Sequence, residues 1–151
     1  FEGDAPATPV LSATQQQLPI VLSVDDSLIV QTTIKRSLAD RYQVLLASNA
    51  VDALKVLDTT SIALLLLDVT MPEIDGLEFC RTVRSLPKFK NLPIIMLTAR
   101  DRFSDKLRGQ IAGATHYLIK PVEPNQLIEI VNQCVEKTTV TPALSSTVLN
   151  S

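Results

Sequence analysis

The segment IALLLLD at 62–68 narrows the fold more than any other stretch of the chain: six apolar residues run unbroken to an aspartate. A strand with one face in water alternates apolar and polar side chains. A strand without alternation is covered on both faces, as in the middle of a parallel sheet. The flanking pattern agrees. The β-rich runs PIVLSV (19–24), YQVLLA (42–47), LPIIMLT (92–98) and THYLIK (115–120) alternate with stretches of helical periodicity. Strict alternation predicts an α/β fold of the (βα)5 type, a doubly wound parallel five-stranded sheet with helices on both faces.

The helices carry their own signals. Ser27 is placed to cap the first, and Val30, Ile34 and Leu38 share one face. Asn49 caps the second, where Asp52 complements the helix dipole and Ala50, Ala53, Leu54 and Leu57 form the apolar stripe. Asp75 and Gly76 open the third, which turns Leu77, Cys80 and Val83 inward. The fourth is expected over 103–112, with Leu107 and Ile111 inward and Gly113 as a left-handed C-terminal cap, although Gly109 weakens it. The last spans 123–137 and buries Leu127, Ile130, Val131 and Cys134.

A chain of 151 residues, 46% of them apolar, can bury one core. Residues 1–18, rich in Pro, Ala, Thr and Gln, read as a flexible linker or an added segment. Residues 138–151 read as a flexible tail, which leaves 19–137 as the domain. The first residue is Phe, as expected of a fragment or a processed product. With 14 basic and 16 acidic residues, the chain offers no electrostatic pull toward nucleic acid or an anionic membrane. No run reaches the roughly 18 apolar residues that would suggest a span. The two cysteines, Cys80 and Cys134, follow no metal-ligand spacing and read as buried reduced thiols of a cytoplasmic protein.

In a sheet of this kind ligands bind beyond the carboxyl ends of the strands. The residues there are Asp25 and Asp26 after the first strand, Asp68 at the end of the third, Thr98 at the end of the fourth and Lys120 after the fifth. The second strand ends in Ala47 and Ser48, as an outer strand away from a site would. Each polar residue alone could be a cap, a turn residue or a solvated charge. Four strand ends converging on one edge is a different matter. Three carboxylates brought together repel unless a cation joins them, and a hard divalent ion such as Mg²⁺ takes such oxygen ligands while keeping waters for a phosphate to displace. A lysine opposite the metal can hold a further phosphate oxygen, a threonine hydroxyl can donate to another, and a carboxylate held among them can attack a phosphoryl group.

The set VDDS, LLLLDVTMPEIDG, IIMLTA and GATHYLIKP resembles the receiver domain of two-component response regulators, the CheY-like family, over the whole of 19–137. The resemblance implies a flavodoxin-like strand order of 2-1-3-4-5 and a phosphoacceptor role for Asp68, supplied by a sensor histidine kinase or a phosphotransfer protein. It implies Mg²⁺, or Mn²⁺ in its place, on Asp26, Asp68 and the backbone carbonyl of Thr70, with Asp25 reaching the metal through water. It assigns Lys120 to the phosphoryl oxygens, and Thr98 and Tyr117 to a switch. It also implies a cis Lys120–Pro121 peptide, and a loop after the acceptor to which Pro72 and Gly76 belong. In that family the positions of Thr70 and Arg100 tune acyl-phosphate hydrolysis; a cationic Arg100 would shield the phosphoryl group or contact a partner, but it reads slightly better as a solvated residue at a helix start. His116 reads as a surface residue beside the switch. Signalling would pass through the face of the fourth helix, fifth strand and fifth helix, near Lys106, Gln110, Tyr117 and Glu123, to a downstream protein or an attached output domain. KFKNLPIIMLTARD is also similar to receivers of cyanobacterial phototaxis and twitching-motility regulators.

Two other readings share these residues. A Mg²⁺-dependent aspartyl-phosphate phosphatase of the haloacid-dehalogenase kind wants a second aspartate two residues after the nucleophile, where this chain has Thr70. A docking pseudo-receiver that is never phosphorylated would be expected to lack an acidic residue or the lysine, and all are present.

Overall fold

The computed structural model describes residues 18–69, 71, 75–99 and 113–136. Five strands form one sheet: β1 (Ile20–Val24), β2 (Gln43–Ala47), β3 (Leu64–Asp68), β4 (Ile94–Thr98) and β5 (His116–Ile119). All neighbours are parallel and the order is β2-β1-β3-β4-β5. The chain therefore winds outward from β1 to β2 and returns to the other side of β1 at β3. That reversal opens a crevice above the carboxyl ends of β1 and β3.

The unbroken apolar runs lie in the middle. All five residues of β3 and all five of β4 are buried, whereas the edge strand β2 leaves Leu46 exposed. β1 and β4 begin one or two residues later than the apolar pattern suggests, just after Pro19 and Pro93. Proline has no amide hydrogen to give to a ladder. Its carbonyl still accepts, from Gln43 N–H at 2.9 Å and from Leu65 N–H at 3.0 Å.

The described helices are α1 (Leu28–Leu38), α2 (Ala50–Thr59), α3 (Gly76–Ser85) and a C-terminal helix at 124–136, and a single 3₁₀ turn follows α3 at Pro87–Phe89. Each start is capped by the side chain its sequence suggests. Ser27 Oγ accepts from Val30 N–H, Asn49 Oδ1 from Asp52 N–H, and Asp75 Oδ1 from Leu77 and Glu78 N–H. Each such cap satisfies an otherwise orphaned amide, worth about 1 kcal/mol. The segment expected as the fourth helix, 103–112, lies outside the described residues, but Gly113 after it has φ +99°, the left-handed value expected of a C-terminal cap.

The pleat sorts side chains into two layers. Leu22, Val24, Leu65, Leu67, Ile94 and Met96 face Ala53 and Leu57 of α2 and Leu77, Cys80 and Val83 of α3. Val21, Leu64, Leu66, Ile95, Leu97 and Leu118 face Ile34 and Leu38 of α1 and Leu127, Val131 and Cys134 of the C-terminal helix. The two buried cysteines thus belong to opposite layers. Leu54 departs from the expected stripe of α2. It is 40% exposed, because the buried face is drawn by Ala53 and Leu57 with Val56 beside them. Leu54 instead lines an apolar groove of about 630 Å³ with Val51, Leu86, Pro87 and Phe89.

Arg84 locks the far edge of α3. Its guanidinium donates to the carbonyls of Gly113, Phe89, Lys90 and Leu92, at distances down to 2.6 Å. The cation ties α3 to the segments leading into β4 and β5. Burial lowers its affinity for the proton, although a guanidinium stays charged.

Candidate functional site

Asp25 directly follows β1 and is completely buried, while Asp68 ends β3 with 1% of its surface exposed. The next residue, Asp26, is open to solvent. One carboxylate oxygen from each of the three lies within 4.8 Å of the others. Lys120, just beyond β5, reaches over the sheet edge. Its Nζ stands 3.2 Å from Asp25 Oδ2 and 3.2 Å from Asp68 Oδ2. The Lys120–Pro121 peptide is cis.

Among the described residues the charges do not balance: one lysine faces three carboxylates. Asp25 shows the consequence. Burial holds its carboxyl above the ordinary carboxylate range. Ser27 N–H, which donates to Oδ1 at 2.8 Å, opposes the rise; the nearby Asp68 charge adds to it, and Lys120 opposes it. Asp25 Oδ2 lies at ion-pair distance from the ammonium and, among the described residues, has no other partner. A buried acceptor in that state calls for a further ligand. The donor set, all carboxylate oxygen with one open side at Asp26, suits a hard divalent cation of the Mg²⁺ kind.

The backbone around the cluster is tightly held. The start of α3 presses on the end of β3: a Cβ on Gly76 would stand 2.6 Å from Val69 Cα and 3.1 Å from Asp68 O. Only glycine permits that approach. Asp25 N–H donates to Ala47 O at 3.0 Å, which ties the ends of β1 and β2. Thr98 ends β4, is 3% exposed and pairs in register with Ile119 of β5.

Tyr117 is half-buried on β5 against the α2–α3 layer, and its hydroxyl is buried without a hydrogen-bond partner among the described residues. That burial, with a smaller contribution from Cys80, raises its pKa. His116 is exposed, as is Glu123, whose Oε1 accepts from Gln126 N–H at the start of the C-terminal helix. Thr70, Pro72, Arg100, Lys106 and Gln110 lie outside the described residues.

One residue at the site escaped the sequence reasoning. Gln31 of α1 is 5% exposed, and its carboxamide donates to the carbonyls of Ser23, Asp25 and Ala47 while accepting from Ser23 Oγ. The signal was its position. Residues 27, 31, 34 and 38 step by four, three and four, so Gln31 sits on the buried face of α1.

A family model for the response regulator receiver domain matches residues 21–132. The chain belongs to that family. Among curated relatives of this receiver, the response regulator MprA of Mycobacterium leprae (strain TN) is 38% identical over 131 residues, covering 86% of this chain and 57% of the relative. MprA of Mycobacterium ulcerans (strain Agy99) is 40% identical over 119 residues, covering 78% and 50%. The chain thus spans about half the length of the curated relatives it matches. Among solved structures, a response regulator from Chloroflexus aurantiacus J-10-fl has 37% identity and a TM-score of 0.75, covering 79% of this chain and 98% of its own. The chemotaxis response regulator CheY4 of Vibrio cholerae has 32% identity and a TM-score of 0.73, covering 78% and 99%. The receiver is thus a signalling module of the two-component type with a CheY-like fold. Among its described residues no helix is long and apolar enough to cross a membrane.

Proposed function

We propose that Asp68 accepts a phosphoryl group from the phosphohistidine of a sensor histidine kinase or phosphotransfer protein, and that the acyl phosphate alters partner binding on the face carrying β5 and the C-terminal helix. The observation that carries this reading is Lys120 Nζ at 3.2 Å from both Asp25 and Asp68, inside a cluster of three carboxylates at the switch point of the sheet. In the transfer, an Asp68 oxygen attacks phosphorus, the P–N bond breaks, and its electron pair stays on the imidazole nitrogen. Lys120 neutralises oxygens of the transferred group, and the Thr98 hydroxyl donates to another. Asp25, Asp26 and Asp68, with the Thr70 carbonyl, are the groups that would hold Mg²⁺ or Mn²⁺. The ion supplies charge neutralisation to the phosphoryl oxygens. Catalysis on this reading is positioning and electrostatics.

Tyr117 is the second half of the switch, because among the described residues its hydroxyl has no partner to give up. The signal then passes to a downstream protein or an attached output domain by differential affinity for the two states. We place this activity in the cytoplasm, with no direct contact to nucleic acid.

Intact mass after incubation with acetyl phosphate and Mg²⁺ tests the reading. The expected result is one added phosphate, dependent on Mg²⁺ and lost in Asp68→Asn. No added phosphate under conditions that modify a control receiver would overturn it in favour of a docking module.

A further inference from the structure

We infer that Gln31 is a positioning residue for the acidic pair, acting through the peptide that joins Asp25 to Asp26. The inference rests on the cation-binding reading above and adds a residue to it. The contacts of Gln31 are unusual for a helical glutamine. Its Nε2 lies 3.0 Å from Asp25 O, 3.1 Å from Ala47 O and 3.2 Å from Ser23 O. Its Oε1 accepts from Ser23 Oγ at 2.6 Å, and all of this is buried. Oε1 is therefore anchored by a buried hydroxyl, which fixes the amide plane and turns both hydrogens toward the carbonyls.

The three acceptors differ. Ala47 O also receives Asp25 N–H. Among the described residues, Asp25 O receives the Gln31 carboxamide alone. Asp25 is therefore held at three points: its N–H by Ala47, its side chain by Ser27 N–H, and its carbonyl by Gln31. The carbonyl of Asp25 and the N–H of Asp26 form one rigid plane. Holding the oxygen thus sets where the Asp26 side chain leaves the backbone, and Asp26 is the one open carboxylate of the cluster. Without the carboxamide the plane is free to rotate and the carboxylates lose their shared convergence. Groups that orient a metal ligand from behind change metal affinity by about 10–100-fold when removed.

Calorimetric titration of the metal-free chain with Mg²⁺ tests this, using Gln31→Met, which keeps volume, and Ser23→Ala, which removes only the anchor. Gln31→Met is expected to weaken Mg²⁺ binding about tenfold, and Ser23→Ala to weaken it less. The double variant should match Gln31→Met alone, because Ser23 acts only through Gln31. In the metal-free state, amide exchange at Ser27, whose N–H depends on Asp25 Oδ1, should accelerate in Gln31→Met. Ile34→Val, a control in the core below, should lose stability and keep its Mg²⁺ affinity. Wild-type affinity in Gln31→Met and Ser23→Ala would overturn the role of Gln31 alone. No Mg²⁺ binding by the wild type would overturn the cation reading itself, and this inference with it.

Discussion

Asp25→Asn should stabilise the metal-free receiver, although it removes a buried ion pair. With carboxylate oxygens of Asp25 and Asp68 within 4.8 Å of each other and an effective dielectric of about 20, their repulsion is at least roughly 3.5 kcal/mol. Attraction to Lys120 at 3.2 Å is roughly 5 kcal/mol on the same scale. Asp25 has no exposed surface, and the cost of stripping water from a buried ion is several kcal/mol. Asparagine removes the repulsion and the desolvation, keeps an oxygen for Ser27 N–H, and leaves Lys120 paired with Asp68. The opposing effects leave roughly 1–3 kcal/mol in favour of the variant.

Urea unfolding followed by circular dichroism, in EDTA and then in Mg²⁺, measures this. Each tenfold of Mg²⁺ above its dissociation constant should add about 1.4 kcal/mol to the wild type, and less to the variant, so that the gap closes or reverses. The pH dependence has a definite sign. The Asp25 carboxyl is raised above its unfolded value of 3.8, so between 3.8 and the folded value the native state holds more protons than the unfolded chain. Its contribution to stability is full below 3.8, falls as pH rises through that window, and stays low above it. The advantage of Asp25→Asn should therefore be greatest near neutral pH and shrink in acid. A variant less stable than the wild type in EDTA at neutral pH would refute the reasoning, because Lys120 would then more than compensate the buried charge.

Gly76→Ala should cost about 2–3 kcal/mol in a denaturant melt and slow phosphorylation at Asp68, since the new methyl meets backbone at Val69. Arg84→Met should cost about 2–4 kcal/mol, because the carbonyls of Gly113, Phe89, Lys90 and Leu92 lose the guanidinium, and only Phe89 O keeps a backbone donor among those the structure shows, Leu92 N–H. Arg84→Lys should recover only part of that, as an ammonium cannot fork across four acceptors. Gly113→Ala should cost about 1–2 kcal/mol from a side chain forced to φ +99° and pressed to 3.2 Å from Arg84 Cγ, read as a lowered melting temperature.

What could be read from the sequence was local or periodic. The unbroken run ending at Asp68 marked a central strand, and Ser27, Asn49 and Asp75 announced helix starts that depend only on the next three residues. Asp25, Asp26, Asp68 and Lys120 could be placed together because parallel strands bring their carboxyl ends to one edge, whatever the side-chain details. What could not be read depends on chain segments meeting from afar. A glutamine is an ordinary helix former. Nothing in its neighbours says that carbonyls from β1 and β2 will surround it. Arg84 looks like a surface charge in the last turn of α3 until Gly113, 29 residues on, supplies its acceptor. Leu54 shows the limit of periodicity, since one step of about 100° around a helix separates the buried face from its margin.

Among the described residues the site is short of positive charge, and that shortage connects it to the rest of the sheet. Their three carboxylates and one lysine leave two negative charges in excess, which one divalent cation would balance. Phosphorylation of Asp68 would replace one negative charge with about two. The balance then fails again, and the new oxygens need donors. Among the described residues, the donors on the same edge are the Lys120 ammonium, already set between two carboxylates, and the Thr98 hydroxyl at the end of β4. Drawing Thr98 toward the phosphoryl group would open space beside β5, where the hydroxyl of Tyr117 has no hydrogen bond to a described residue to break. A change of charge at β3 can thus become a change of shape at β4 and β5 without disturbing the two apolar layers. On this argument Thr98→Ala should still be phosphorylated, while Tyr117 keeps the same environment with and without phosphate. Nuclear magnetic resonance of the Tyr117 ring in that variant decides the matter: a phosphate-dependent shift as large as in the wild type would mean that the signal leaves the site by another route.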